Sequence, residues 1–179
     1  MRRIAASLAA VFLFTALSIA QEPAKLSTPA QLKILDSFVG TWRAEGEFPN
    51  LGHYVIDRTY QWSLNRKWIE MTNTFHVSNG YEGTVRGVIG WHPGKESIAA
   101  WGFSDDGTLS ITECKAEENS ITCQGDLFGG QNPGQTRSTF RIVSGDEFTE
   151  VAETRMPSGW NPMFNFRYLR VKPGPRSGS

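Results

Sequence analysis

The chain is poor in the residues that most often announce chemistry. Its 179 residues hold two cysteines and three histidines, and its acidic and basic residues balance to a formal net charge of zero. Cys114 and Cys123 have no second cysteine pair and no nearby histidine to complete a zinc set. His53, His76 and His92 are scattered over different strands and turns, so they do not converge on a metal: His92 precedes Pro93-Gly94 and is expected to face solvent, and His53 and His76 have outward parity. The balanced charge leaves no footprint for nucleic acid or an anionic membrane. There is no nucleophile elbow, Walker loop, His-Glu-x-x-His, dinucleotide-binding glycine set or calcium loop. The sequence thus names no reaction, no metal and no cofactor. Its long apolar run, Ile4 to Ile19, is broken by Ala, Ser and Thr and, at about 16 residues, falls short of the roughly 20 that a membrane span needs.

That run reads instead as a targeting segment. Arg2 and Arg3 supply a positive start, and Leu17-Ser18-Ile19-Ala20 offers small residues for cleavage before Gln21. Residues 1–20 are therefore expected to be a signal peptide, with no cysteine at the cleavage point for a lipid anchor. Residues 21–171 make one domain, and the Gly/Pro/Ser-rich stretch 172–179 is expected to be disordered. Without Arg2 and Arg3 there are 16 basic and 18 acidic residues. The expected location is periplasmic or extracellular.

What the chain does have is turns. Signals recur about every ten residues from Gly40 to Pro162, at Asn50-Leu51-Gly52, Asn65-Arg66, Asn79-Gly80, His92-Pro93-Gly94, Asp105-Asp106-Gly107, Glu118-Asn119, Gly129 to Gly134, Gly145-Asp146 and Pro157 to Pro162. Between them apolar residues alternate. Tyr54, Ile56, Arg58, Tyr60 and Trp62 share one face, as do Ile69, Met71, Asn73 and Phe75, then Phe140 and Ile142, then Phe164, Phe166, Tyr168 and Arg170. Parity is ambiguous around Cys114. Regular short turns favour a meander over a Greek-key sandwich. The predicted fold is all-β, a closed antiparallel up-and-down barrel of about ten strands. Thr28 as cap, Pro29 at the first position, Gln31 completing a capping box and Gly40 after the end predict a short helix before it. Its apolar face, Leu32, Leu35 and Phe38 with Ile34 and Val39, suits it to cover one end of the barrel.

If Glu118-Asn119 form the centre of a hairpin turn, counting outwards brings Cys114 opposite Cys123 at a non-hydrogen-bonded pair. A structural disulfide follows, in keeping with an oxidising compartment.

Gly40-Thr41-Trp42, with a helix before it and a last strand ending in Arg170, resembles the calycins, the group of lipocalins, fatty-acid-binding proteins and avidin. The resemblance implies that Trp42 packs at the closed end beneath Arg170, a structural pair. Leu35 to Gly46, and Gly90-Trp91-His92-Pro93 with Ala100-Trp101, more closely resemble bacterial lipocalin-like domains of the DUF1579 type, whose activity is unknown. Gly40 to Pro49 is also similar to nitrobindin-like haem barrels, but the last two strands lack the histidine that ligates haem in that family.

The candidate site residues are polar groups on otherwise apolar inward faces. Arg58 lies between Ile56 and Tyr60, Asn73 between Met71 and Phe75, and Glu150 between Phe148 and Ala152. A buried charge must be paired or solvated, so Arg58 either bridges to Glu150 or meets an anionic ligand head. Tyr54, Tyr60 and Tyr168 would form hydrogen-bonding walls, and Trp62, Met71, Trp101, Phe103, Phe140 and Phe166 apolar ones. The leading expectation is a carrier of a small hydrophobic or amphipathic molecule. The alternatives are a hydrolase or isomerase using Glu150 as acid/base beside Arg58, and a ligand-free envelope module presenting Trp68 and Trp160 as an exposed patch.

Overall fold

The computed structural model describes residues 29–49, 51–130 and 133–172. The expected signal peptide, the Thr28 cap and all of the tail beyond Lys172 lie outside the described residues. Ten antiparallel strands follow one another around a closed barrel. They are β1 (Gly40–Phe48), β2 (Gly52–Ser63), β3 (Trp68–Val77), β4 (Glu82–His92), β5 (Ser97–Ser104), β6 (Leu109–Ala116), β7 (Ser120–Phe128), β8 (Gly134–Ser144), β9 (Glu147–Met156) and β10 (Gly159–Arg170). Each pairs with its chain neighbour, and β10 returns to β1. Tight turns make this possible: Gly80 and Gly107 adopt φ of +91° and +86°, left-handed values that a glycine reaches without a Cβ clash.

The parity read from β2, β3 and β10 holds. Ile56, Arg58 and Tyr60 are buried on β2, Ile69 and Asn73 on β3, and Phe166 and Tyr168 on β10. The turn expected over Pro157 to Pro162 is shorter, and β10 begins within it at Gly159. Gly159 already pairs with Met156, and a register shift between Pro162 and Phe164 restores the inward alternation.

The helix differs in kind from the expectation. Ala30–Ser37 is a 3₁₀ helix with Pro29 as its N-cap, not its first residue, and Phe38 as its C-cap. Its hydrogen bonds span three residues, as from Leu32 N to Pro29 O at 2.9 Å and Phe38 N to Leu35 O at 3.1 Å. Leu32, Leu35 and Phe38 recur at that same spacing, which stacks them on one edge of a three-residue turn. All three are buried, so the edge inserts into the barrel end as a plug. Gly40 does not end the helix but opens β1, with φ +131°.

The seam that closes the barrel is short. β1 and β10 share the pairs Trp42↔Arg170 and Arg43↔Leu169, joined by Val171 N donating to Thr41 O at 2.8 Å. Side chains reinforce it. The Arg170 guanidinium lies 4.0 Å from the Trp42 ring and donates to Val39 O at 2.6 Å and Ser37 O at 3.2 Å, while Trp42 Nε1 donates to Phe38 O at 2.6 Å. The tryptophan–arginine pair thus stacks as expected and also ties the plug to the seam.

Cys114 and Cys123 are disulfide-bonded across β6 and β7, with their Cα atoms 3.9 Å apart. The ambiguous parity of this hairpin resolves inward, since Cys123 borders the interior and Cys114 is buried. Replacing both cysteines with serine should lower stability by about 2.5 kcal/mol, the loop-closure value for about ten residues, in urea unfolding. An unchanged midpoint would show that the hairpin holds itself together without the bond.

Candidate functional site

The interior is divided. On one side, rings from β1, β2, β9 and β10 fill the barrel. Tyr168 stacks on Phe148 with centroids 4.6 Å apart, Phe166 on Phe164 at 4.3 Å, and Phe48 tilts against Tyr54 at 4.5 Å. On the other side, the inward positions of β4 to β8 carry small residues, among them Gly87, Ala100, Gly102, Ser110, Thr112 and Ser138. Gly87 is required where it stands, because a Cβ there would meet Trp101 O at 2.6 Å. Small side chains cannot fill a barrel of this width. A chamber of about 290 Å³ results, bordered at the end away from the plug by Met163, which is 47% exposed. That volume is close to the lower end of small-molecule sites, roughly 300–1,000 Å³.

Arg58, Asn73 and Glu150 lie together against this chamber and are 5%, 3% and 4% exposed. Arg58 Nη1 donates to Glu150 Oε2 at 2.8 Å and to Tyr60 Oη at 3.3 Å, and Arg58 Nε donates to Asn73 Oδ1 at 3.1 Å. Tyr168 Oη donates to the same Glu150 oxygen at 3.3 Å, and its ring lies 4.5 Å from the Arg58 guanidinium carbon. The internal bridge is thus the arrangement adopted, and Arg58 is not left bare for an anion. Burial alone would lower the Arg58 pKa, but Glu150 and the two phenols outweigh it and hold the guanidinium charged. Burial pushes the Tyr60 and Tyr168 phenols above their usual range, so both stay protonated at neutral pH. Two donors hold Glu150 Oε2 and fix the carboxylate, while Oε1 takes no protein partner among the described residues.

The other expected site residues divide between wall and filling. Tyr60, Met71 and Phe140 line the chamber with Arg58, Asn73 and Glu150. Tyr54, Phe166 and Tyr168 belong to the packed aromatic side. Trp62 sits at the plug end, where its Nε1 donates to Asp36 Oδ1 at 2.8 Å. Trp101 is a correction. It pairs with Val88 and Ile111 on the outer row, and its indole lies against Trp68 at 5.7 Å, so only its backbone borders the interior. Phe103 likewise points outward and is 56% exposed. His92 is not a solvent-facing turn residue: it ends β4, is half-buried and stacks on Trp101 at 6.4 Å, while His53 and His76 are exposed. Nor do Trp68 and Trp160 form a bare patch. Trp68 is half covered by Trp101, and Trp160 lies between Arg137 and Arg155, at 4.7 and 5.4 Å.

Sequence reasoning missed the hollow wall. Its signal was present as small residues at every second position, Ala100 and Gly102, then Ser110 and Thr112, then Thr136 and Ser138.

No known sequence family and no curated protein matches the chain significantly. Among solved structures, a de novo designed fluorescence-activating β-barrel is similar at 14% identity with a TM-score of 0.39, over 76% of this chain and 95% of that one.

Proposed function

We infer that the protein is an exported, calycin-like carrier of the DUF1579 type that holds a small hydrophobic or amphipathic molecule in its chamber without transforming it. In this reading residues 1–20 direct export and 21–171 form the carrier domain. The observation that carries it is the hollow half of the barrel, where small inward residues keep about 290 Å³ clear beside a fully packed aromatic half. A chain selected only for stability gains by filling such a space, because buried apolar contacts add dispersion and exclude water. The inward disulfide fits an oxidising compartment, and among the described residues no helix is long and apolar enough to cross a membrane.

Native mass spectrometry of the purified protein after exposure to a lipid and isoprenoid extract tests the reading. A retained species is the expected result, and its absence would sink it. Ser138→Phe supplies the control: a ring on the β8 wall should fill the chamber and cut retention at least about tenfold, with the near-ultraviolet circular dichroism of the packed half preserved. Undiminished retention in that variant would place the ligand elsewhere.

A further inference from the structure

Among the described residues the chamber has one charged spot, set apart from the hydroxyls of Ser110, Thr112, Thr136 and Ser138 on the opposite wall, and its charge is already balanced. Arg58 and Glu150 cancel each other at 2.8 Å. Three of the polar atoms there remain unspent. Arg58 Nη2, Asn73 Nδ2 and Glu150 Oε1 take no protein partner among the described residues, and the chamber lies against all three side chains. Two of these atoms are donors and one is an acceptor. Among the described residues the buried side-chain atoms without a partner are His92 Nδ1 and Ser97 Oγ, so these three are reached from the chamber. A ligand head seated there must replace the hydrogen bonds that water can make with them. From this spot the chamber continues along Phe75, Val85 and Leu127 to the exposed Met163, while Met71 lies on the plug side.

We propose that the chamber selects an uncharged amphipathic ligand whose head both accepts and donates hydrogen bonds, such as a primary amide or an alcohol, seated on Arg58, Asn73 and Glu150 with its apolar chain toward Met163. The proposal rests on the carrier reading and narrows its ligand class. An amide oxygen accepts from Arg58 Nη2 and Asn73 Nδ2 while its N–H donates to Glu150 Oε1, and a hydroxyl makes a subset of these bonds. A carboxylate finds the Arg58 charge spent and meets the unshared Glu150 oxygen, so it enters a low-dielectric site with no counter-charge. An ammonium meets the guanidinium with the same result. The selection is the opposite of what an isolated inward arginine leads one to expect.

Calorimetric titration of the full chain near neutral pH with octanamide, 1-octanol, octanoate and octylammonium changes only the head. Octanamide and octanol should bind at least about tenfold more tightly than the two ions, or about 1.4 kcal/mol. Glu150→Gln removes the counter-charge, and octanoate should then become the preferred probe. Octanoate preferred by the wild type would overturn the head-group assignment and leave the carrier reading standing. So would failure of all four probes to bind while the extract experiment still yields a retained molecule. Failure of both experiments removes the two together. Because Glu150→Gln strands Arg58 and risks the fold, the wild-type ranking decides the matter without it.

Discussion

Glu150→Ala should cost about 3–5 kcal/mol of stability in urea or thermal unfolding, and Arg58→Ala a comparable amount. Each partner is about one-twentieth exposed, so deleting the other strands a full charge away from bulk water. The pair as a whole behaves differently. Taking both ions out of water offsets much of their mutual attraction, so Arg58→Met with Glu150→Leu should be near neutral, or stabilising by about 1–4 kcal/mol. That contrast separates an ion pair kept for stability from one kept for what it presents to the chamber. If the double replacement proves as damaging as either single one, the pair is a stability element after all. Single losses below about 1 kcal/mol would mean that water reaches the site freely.

The second large effect is expected at Trp42. Trp42→Ala should lower stability by about 4 kcal/mol, the range for emptying a large aromatic from a core. The side chain is 1% exposed and meets Phe148 edge-on with centroids 4.8 Å apart. It also stands where the barrel closes, stacked beneath Arg170 and bonded through its indole N–H to Phe38 O. Trp42→Phe keeps a ring under the guanidinium and loses the N–H bond, so it should cost less, about 1–2 kcal/mol. Hydrogen exchange adds a local readout: amides of Arg43 and Leu169 should lose protection before those of β2 and β3. A Trp42→Ala variant as stable as wild type would show that the backbone pairs hold the seam unaided.

Much of the architecture was legible because the strands that fill the barrel carry the usual alternation. On β2, five inward residues from Tyr54 to Trp62 announce a half-buried strand, and the turns at Gly80 and Gly107 have one inexpensive conformation. The disulfide followed from counting outwards from Glu118-Asn119. The hollow wall was not legible for the reason that it is hollow. There the inward side chains are small and the outward ones large, so the usual contrast reverses and Trp101 and Phe103 read as interior. The 3₁₀ character of the plug was hidden by cap residues that suit an α-helix equally well, although the three-residue spacing of Leu32, Leu35 and Phe38 pointed to it. The Arg58–Glu150 bridge was foreseen as one of two options. Sequence alone did not choose between them, because the residues are far apart in the chain and meet only through closure.

In the carrier reading we propose, the lopsided interior assigns cohesion and cargo to different strands. The rings of β1, β2, β9 and β10 hold the can together, whereas β4 to β8 give it its inner contour. Changes of one or two atoms at Ala100, Gly102, Ser110 or Ser138 can therefore remodel what fits inside while the ring stack stays intact. Such a scaffold can drift among guest molecules over evolutionary time, or be steered among them deliberately, without first needing to be made tougher.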